Sequence, residues 1–328
     1  MSTRLKMMSD IYLSQHGMEV SKDGGRLVIK SKDGQVKYLP LSYADCLIIT
    51  ASVQITYAAI MAVLANKGSI IYIDNNGDIM GELGMKMGKS RQLVRQLQCY
   101  SDVSKRQEFA ADIVKKKILA QRNILSVKNK SLQNPAIKSV IGKLSVLAKL
   151  AVGSKSIEKL MGIEGIAAKA YFDTFAILLS GSAFKWDGRH KRPAPDPVNA
   201  MLSFGYAMLE KDVRRAIAAA GLASSIGFLH ELNYRKDILV YDLMEVFRPT
   251  IIDKLVLRCI SLKIFTESDF VISDGRCLFE EDAKKRFIAE YENYAGQEDD
   301  MDMSNRKQIV LEAKGLVKKM RDLEALEI

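Results

Sequence analysis

Two separate stretches of the chain carry residue types that bind metal ions. Glu164 lies in MGIEGIAAKAYF, and His230, Asp242 and Glu245 lie in GFLHELNYRKDILVYDLMEVFRP. Carboxylate oxygens and imidazole nitrogens both ligate Mn²⁺, whereas Mg²⁺ accepts mainly oxygens. The spacing equally allows a hydrogen bond between His230 and Asp242 beside a surface Glu245. By itself it therefore leaves open both a metal site and a structural pair.

Glu164 shares a helical face with apolar residues. Met161, Ala168 and Tyr171 all lie within helical reach of its carboxylate. Burying an unpaired carboxylate is unfavourable, so a buried Glu164 requires a cation, a hydrogen-bond donor or a proton. Taken alone, Glu164 fits slightly better at the edge of the apolar stripe, with its charge reaching solvent.

The second stretch predicts a helix that begins after Asp237, which is a plausible N-cap. Asp242 and Glu245 are then one turn apart and lie on the same face of that helix. His230 precedes the helix in a glycine-containing, loop-like segment, so it is free to fold back against the helix.

A third stretch, WDGRHKRPAPDPVNAMLSFGYAML at 186–209, joins a basic cluster to a predicted helix. Prolines flank the cluster, and Pro197 is suited to a first helical turn because its missing N–H would be unpaired there anyway. Asn199 and Tyr206 are candidates to point toward a shared site, although satisfied polar residues of the core are the commoner outcome. The basic cluster consists of Arg189, His190, Lys191 and Arg192.

These segments belong to a part of the chain with the 3.6-residue apolar periodicity of helices. Strand signals almost vanish from about residue 87 onward. An acidic connection at 296–303 precedes the last basic helix. The predicted helical stretches are 91–128, 134–151, 156–180, 197–219, 237–263, 280–295 and 304–326.

Residues 10–82 are typical instead of short strands separated by tight turns. Asp-Gly pairs at 23–24 and 33–34 supply the positive φ that hairpins require. The predicted strands are 18–21, 26–30, 35–39, 46–49 and 69–73, with a further turn at 75–78 and a single helix at 53–65. The predicted fold class is α+β, with a small N-terminal β domain at 1–86 and a larger all-helical C-terminal domain at 87–328.

Composition excludes several classes of protein. A chain of 328 residues with 48% hydrophobic and 27% charged residues is long enough for two domains and is not disordered as a whole. Charges interrupt every apolar stretch before it reaches the length of a membrane span, and MSTRLKMMSD lacks the apolar region of a secretion signal. The 4 cysteines lack metal-binding spacing. We therefore expect a cytoplasmic protein.

Positive charge is concentrated in one part of the chain. There are 49 Lys and Arg against 39 Asp and Glu, a formal net charge of +10, and basic residues dominate 86–159. A basic surface attracts phosphate backbones over long range, so nucleic acid is a candidate partner. The alternative is a surface that only keeps the protein soluble.

Taken together, the three stretches resemble the CRISPR-associated integrase family, the larger of the two proteins generally needed to acquire new spacers. The resemblance rests on EGIAAKAYF, on GR-x-x-RPxPDPVNAMLSFGYAML, and on GFLH followed by LVYDLMEVFRPTIID. It implies that Glu164, His230 and Glu245 bind the metal. Many relatives have Asp at the position of Glu245, and the longer side chain here should still reach the ion. Asp242 matches a second acid near the site.

The resemblance also implies a reaction and its partners. With Mg²⁺ or Mn²⁺ bound, the 3′-hydroxyl of a captured DNA fragment would attack a phosphodiester of the CRISPR repeat, and water could replace that hydroxyl in a nuclease reaction. The family works as homodimers joined here through the β domain, two of which usually clamp a dimer of the small second acquisition protein. No membrane is involved.

Further residues are assigned around the ligands. Asn199 and Tyr206 are expected next to the metal site together with Asp242. Basic residues are expected to contact DNA phosphates without reading sequence. They are Lys89, Arg91, Arg95, Arg189, Lys191, Arg192 and Arg248.

Two other functions remain open at this point. One is a stand-alone metal-dependent nuclease that acts on branched DNA and needs no partner. The other is a catalytically idle scaffold that binds DNA. An assay of strand transfer from a free 3′-hydroxyl would distinguish the stand-alone nuclease from an integrase. A Glu164 substitution that leaves function intact would favour the scaffold.

Overall fold

The computed structural model describes most of the chain and divides it into two compact units, residues 1–86 and 87–328. The first unit holds most of the strands and the second is mainly helical, so the α+β class predicted from the sequence is confirmed. The described residues are 10–66, 68–74, 79–84, 90–190, 193–233, 236–273, 275–298 and 303–325.

The described part of the first unit contains two four-stranded sheets and one α-helix. One sheet has the strand order β1-β5-β7-β8, and the other has the order β4-β3-β2-β6. Between them they bury apolar side chains such as Leu13, Val20, Leu47 and Ile70. The elements are β1 Asp10–Leu13, β2 Met18–Asp23, β3 Arg26–Lys30, β4 Val36–Pro40, β5 Cys46–Ile49, β6 Val53–Ile55, α1 Tyr57–Ala65, β7 Ser69–Ile73 and β8 Ile79–Leu83.

The predicted hairpins are confirmed, whereas part of the predicted helix is wrong. Gly24 and Gly34 adopt positive φ, and β2, β3 and β4 pair antiparallel in sequence order. Val53–Ile55, predicted as helix, is instead a strand parallel to β2. The helix begins one residue after Thr56, whose side chain accepts from the Ala59 N–H. The turn predicted at 75–78 lies outside the described residues.

The second unit is built on nine α-helices of at least eight residues among the described ranges. The long helices cover most of the predicted stretches. They are α2 Ser90–Ser101, α3 Val103–Leu132, α4 Pro135–Gly153, α5 Ile157–Asp173, α7 Pro197–Ala220, α8 Ile238–Phe247, α9 Lys254–Ser261, α10 Glu281–Gly296 and α11 Asn305–Ala325; a short α6 spans Phe175–Leu178.

Three predicted helices are broken. The stretch 156–180 divides at Thr174, between α5 and α6. The stretch 91–128 divides at Asp102, whose carboxylate caps α3 by accepting from the Lys105 N–H at 2.9 Å. The stretch 237–263 contains a π-helical turn, Arg248–Asp253, between α8 and α9. Proline in a helix interior lacks the N–H of the α-helical pattern, and Pro249 lies inside this turn.

The prediction that the second unit is all-helical is also wrong in one place. Strands β9 (Phe270–Ser273) and β10 (Arg276–Phe279) form an antiparallel hairpin. Gly275 has a φ of +71° in the connecting turn. Phe270 and Phe279 pack against one another, with ring centroids 4.8 Å apart, and Phe279 also contacts Phe287 of α10.

Helices α3 and α7 carry much of the packing that positions the site. Helix α3 packs on α4, α5 and α8, while α7 is buried along most of its length and packs on α8 and α11. Phe109 of α3 stacks on Phe228, with centroids 4.4 Å apart, which fixes the loop before α8. Within the described ranges, no helix is both long and apolar enough to cross a membrane.

Candidate active site

A cleft of about 440 Å³ brings together side chains that are far apart in the sequence. Its wall includes Glu164 of α5, Glu245 of α8 and His230 of the loop between α7 and α8. Helix α5 presents Glu164 toward α3 and α8, since the buried face of α5 holds Leu160, Ala167 and Tyr171. The three predicted ligands therefore line one cleft.

A lysine of α3 joins the two glutamates. The Lys117 Nζ forms ion pairs with Glu164 Oε1 and with Glu245 Oε2. Lys117 is 8% exposed, so these pairs are largely shielded from water. Glu245 has a second cationic neighbour, because the Nε of Arg248 lies 3.2 Å from its Oε1. Glu164 thus has a cation partner, one of the three ways for a buried carboxylate to be satisfied.

Each charge in this group stabilises the ionised form of its oppositely charged neighbours. Burial raises the pKa of Glu245, but the positive charges of Lys117 and Arg248 outweigh burial and lower that pKa to about 2. Burial likewise lowers the pKa of Lys117, while Glu245 and Glu164 raise it above its ordinary value. At neutral pH Glu245 is therefore an anion and Lys117 a cation.

Asp242 fixes the orientation of His230. Its Oδ1 lies 2.6 Å from the imidazole Nδ1, and this hydrogen bond raises the pKa of His230 despite partial burial. The same carboxylate accepts from the backbone N–H groups of Phe228 at 2.5 Å, Leu229 at 2.9 Å and His230 at 3.2 Å. A neutral ring that donates from Nδ1 has its lone pair on Nε2, the atom available to a ligand.

Close approach of the loop to α8 requires a residue without a side chain. A Cβ on Gly227 would lie 2.5 Å from the Asp242 Oδ2 and 2.5 Å from a methyl group of Ile238. Glycine at this position lets the backbone N–H groups reach the Asp242 carboxylate. His230 therefore folds back onto the helix, as the sequence allowed, and it forms the hydrogen bond to Asp242 that was one of the two alternatives.

Asp237 does not act as the predicted side-chain cap. It occupies the N-cap position of α8, but its carboxylate makes no capping hydrogen bond there. Instead it pairs with Arg214 and accepts from the Ser224 hydroxyl at 2.7 Å. The stronger attraction of a guanidinium turns the carboxylate away from the helix end.

Asn199 holds a loop rather than lining the cleft. Its Oδ1 accepts from the Arg189 guanidinium at 2.8 Å and from the His190 N–H at 2.9 Å. Its amide group donates to the Gly188 carbonyl at 3.0 Å and to Asp196 at 2.6 Å. Asn199 is fully buried, and through these bonds it directs Arg189 into the cleft wall.

Tyr206 lies in the cleft wall beneath two arginines. The guanidinium carbons of Arg248 and Arg189 are 4.6 Å and 5.4 Å from its ring centroid. Its hydroxyl donates to Asp253 at 2.6 Å. Burial raises the pKa of Asp253 to about 6, although hydrogen bonding opposes the shift. This wall therefore presents two cations beside the Glu164–Glu245 pair.

The other predicted DNA-contacting residues are more dispersed. Arg91 is exposed on α2, and Arg95 is partly buried and donates to Gln92 at 3.4 Å. Lys89, Lys191 and Arg192 lie outside the described residues. The role of all seven basic residues in DNA contact stays a prediction.

Sequence reasoning missed Lys117 and Gln121. Both belong to α3 and line the cleft. Lys117 stands in a run of three lysines, which is typical of a solvated surface. A signal did exist: Ile113, Lys117 and Gln121 recur every four residues and share one helical face, and Ile113 is an apolar core residue.

The types of side chain in the cleft suit a divalent ion. The described residues include no group of three or more His, Cys, Asp or Glu arranged to hold a metal. Glu164 and Glu245 nevertheless converge on a single cation, the Lys117 ammonium. Gln121 contributes a buried Oε1 that has no hydrogen-bond partner within the described ranges. The three-ligand group of Glu164, His230 and Glu245 stays a prediction.

Comparison with known proteins identifies relatives along nearly the whole chain. The family model for CRISPR associated protein Cas1 matches residues 11–293. A Cas4/Cas1 fusion from Geobacter sulfurreducens, described as an exonuclease and endonuclease, is 32% identical over 299 residues, which cover 88% of this chain and 53% of that protein. The chain thus spans about half of the fusion. A CRISPR-associated endonuclease Cas1 from Thermodesulfovibrio yellowstonii is 29% identical, and the match covers 89% of this chain and 92% of that protein.

Solved structures show the same fold. A Cas1 protein from Thermotoga maritima superposes with a TM-score of 0.84 at 23% identity, covering 95% of this chain and 97% of that one. A casposase bound to its integration product gives a TM-score of 0.81 at 23% identity, with 95% and 90% covered. Endonucleases of the family that matches are generally dependent on a divalent metal. The chain belongs to the Cas1 family of CRISPR-associated proteins.

Proposed function

We propose that this protein joins the 3′ ends of DNA fragments to a CRISPR repeat by phosphodiester transesterification, and that it cleaves DNA when water replaces the 3′-hydroxyl. The observation that carries the proposal is the convergence of Glu164, Glu245 and His230, from three separate segments, on one cleft that also presents Arg189 and Arg248. Because the chain belongs to the Cas1 family, we interpret this group of side chains as a site that joins and cleaves DNA. The protein would act in the cytoplasm, where the CRISPR array lies.

A divalent ion would be held by Glu164, Glu245 and the Nε2 of His230. Two carboxylates and one imidazole provide hard oxygen together with borderline nitrogen, a combination that both Mn²⁺ and Mg²⁺ accept and in which the imidazole favours Mn²⁺. When bound, the ion would supply Lewis-acid polarisation of the scissile phosphate.

The chain's own residues would position the DNA. Arg189 and Arg248 line the wall and stack over Tyr206, and a guanidinium is suited to binding phosphate oxygens. Asp242 keeps the imidazole of His230 in one orientation. Phosphoryl transfer depends mostly on position and charge neutralisation, so these fixed cations account for the part of catalysis that the protein supplies.

DNA and a second acquisition protein are the proposed partners. Structures that share the fold include a complex of Cas6-RT-Cas1 with Cas2, a casposase with its integration product and a Cas1–DNA complex. The charge of +10 suits a protein that holds phosphate backbones.

We further propose a homodimer joined through the first unit. Strands β1, β8, β4 and β6 are sheet edges, and Tyr38, Tyr57 and Met80 expose large side chains. Pairing with a second copy would cover such edges and side chains. Light scattering at micromolar concentration should give a dimer mass that reducing agent does not change, since the four cysteines, all within the described residues, are buried and form no disulfide. A monomer mass would refute this proposal.

The central test is strand transfer in vitro. The purified protein, with and without the small partner, is incubated with a short duplex and a supercoiled plasmid that carries the repeat. Glu164→Gln and Glu245→Gln should each lower the rate of joining by about a hundredfold or more, or about 2.7 kcal/mol of activation free energy. The control is Glu158→Gln on α5, which removes an exposed carboxylate outside the cleft and should leave the rate unchanged.

The outcomes separate the competing functions. Cleavage of branched DNA without joining would indicate a stand-alone nuclease. Full joining activity in a folded Glu164→Gln protein would refute the proposed mechanism and would favour a scaffold.

A further inference from the structure

Lys117 occupies the place where the two candidate ligands meet. Its ammonium pairs with one oxygen of Glu164 and one oxygen of Glu245, and these carboxylates come from different helices. We propose that Lys117 is a built-in counter-ion of the candidate metal site, which holds the two carboxylates together and is displaced when a divalent cation binds. This inference rests on the proposed function in taking Glu164 and Glu245 as metal ligands.

Two carboxylates in this cleft require a cation between them. Glu245 is 13% exposed at its side chain and Glu164 is 25% exposed, so water screens their mutual repulsion only in part. The single charge of Lys117 offsets that repulsion and fixes the distance between α5 and α8 at this point. Lys117 thereby keeps the two carboxylates close together before any metal ion binds.

The ammonium and a divalent ion compete for the same oxygens. A metal ligated by both carboxylates lies within about 2.0–2.6 Å of their oxygens, so the ammonium could not stay bonded to the same two atoms. The two cations also repel each other strongly at that separation. Metal binding therefore includes the cost of moving Lys117, and the measured affinity is weaker than the ligands alone would give.

Gln121 provides a place for the displaced ammonium. It lies one turn after Lys117 on α3, lines the same cleft and is 1% exposed. Its Oε1 has no hydrogen-bond partner within the described residues. Side chains four residues apart on a helix are neighbours, so a lysine that swings away from the carboxylates can donate to this oxygen. The Lys117 ammonium can thus occupy two positions, one on the two carboxylates and one on the Gln121 oxygen.

The test measures binding of Mn²⁺ alone, by the electron paramagnetic resonance signal of the free ion, with no DNA and no activity assay. Lys117→Met should bind Mn²⁺ about tenfold more tightly than the wild type, because the competing charge is gone. The matched control is Lys116→Met, which removes an equal charge one residue away; Lys116 pairs with Asp112 and Glu312 and does not line the cleft. Its dissociation constant should stay within about twofold.

For a second variant we expect a change of Mn²⁺ affinity in the opposite direction. Gln121→Leu removes the oxygen that receives the displaced ammonium, so it should weaken Mn²⁺ binding by about threefold or more. In the double variant the Gln121 substitution should have no further effect, since no ammonium has to move. This non-additivity is the signature of coupling between the two residues. If Lys117→Met fails to fold, Gln121→Leu alone still tests the inference, because that variant retains every charge.

Failure of the inference and failure of the metal site give different results. Mn²⁺ uptake that depends on Glu164, as judged by Glu164→Gln, but is unchanged or weaker in Lys117→Met would overturn the counter-ion role alone. If Lys117→Met does not fold, unchanged binding in Gln121→Leu overturns it. Absence of Mn²⁺ uptake by the wild type, or uptake that survives Glu164→Gln, would overturn the metal site and the inference with it.

Discussion

Asp242 is a fully buried carboxylate whose hydrogen bonds hold one loop together. Because it accepts from three backbone N–H groups and from His230, Asp242→Ala would leave several buried donors unpaired. We expect the free energy of unfolding to fall by about 3–5 kcal/mol, measured by urea denaturation. Asp282→Ala, which removes an exposed carboxylate from α10, is the control and should change stability by less than about 0.5 kcal/mol. Equal stability of the two variants would contradict the structural role of Asp242.

Asp253 predicts a pH dependence of stability. Burial raises its pKa from 3.8 to about 6, so between these values the folded protein holds a proton that the unfolded chain has lost. The contribution of this group to stability therefore falls as pH rises, by about 3 kcal/mol in total. Asp253→Asn cannot titrate, so its stability relative to the wild type should rise between pH 4.5 and 6.5 and then level off in urea denaturation series.

A second aspartate provides the control for that series. The pKa of Asp212 is lowered to about 2, because Lys211 and Arg306 outweigh the effect of burial. Asp212 thus titrates below the window, and the difference between Asp212→Asn and the wild type should not vary with pH from 5 to 7.5. Parallel curves for Asp253→Asn and the wild type would show that Asp253 ionises normally.

At the residue scale, the sequence indicated which side chains lie in the cleft better than it indicated which side chains pair with one another. The short spacing between His230 and Asp242 let the loop's return onto α8 be foreseen, because few residues separate the partners. Lys117 could not be assigned, because its partners lie 47 and 128 residues away. Only the three-dimensional packing of α3 against α5 and α8 selects this lysine from its neighbours.

At the element scale, a glycine determines how closely α7 approaches the π-helical turn. A Cβ on Gly205 would lie 2.7 Å from a methyl group of Ile252. Gly205→Ala should therefore destabilise the protein by about 1–3 kcal/mol through overpacking. Gly142→Ala on α4, where a Cβ meets nothing within 4 Å, should stabilise it by about 0.5–1 kcal/mol. Thermal unfolding of both variants checks the prediction, and a shift of the same sign in both would contradict it.

The two places where the sequence mistook strand for helix share one physical cause. The stretch 53–65 has helical composition, yet β-branched Val53 and Ile55 pair with β2 and Thr56 begins the helix. The hairpin at 270–279 has an Asp-Gly pair like those that identified the first hairpins, but it is surrounded by helical periodicity. In each case pairing with a neighbouring element decided between two locally acceptable structures.

For the whole molecule, the excess of positive charge predicts how DNA binding responds to salt. Each phosphate neutralised on a duplex adds about 0.9 to the slope of log affinity against log salt, so we expect a slope of about −3 or steeper in fluorescence anisotropy titrations. Arg91→Ala should reduce the slope by about 1 if Arg91 contacts a phosphate. The control is Arg26→Ala in the first unit, whose guanidinium already pairs with Asp23 at 2.7 Å. A slope near zero in the wild type would exclude a surface that contacts the DNA backbone.

The overall plan of the molecule was the most predictable level. Period-two strands with Asp-Gly turns and long stretches of 3.6-residue periodicity are signals that accumulate over many residues, so single errors such as Val53–Ile55 do not change the α+β class. The cleft is different, because it depends on the mutual position of α3, α5, α7, α8 and the loops before α7 and α8, which no local pattern encodes.

The π-helical turn at Arg248–Asp253 decides where the gene tolerates a change of length. Such a turn holds one residue more than the α-helical turn that it replaces. Loss of one codon there would let a regular helix form, and α9 would keep nearly its present orientation relative to α8, because the wide turn had already absorbed the extra residue. Loss of one codon in the middle of α7 would instead rotate the rest of that helix by about 100°, so core side chains such as Leu209 and Val213 would face away from their present neighbours. In a library of in-frame single-codon deletions, loss of Thr250 should therefore be depleted less than loss of a residue in the middle of α7.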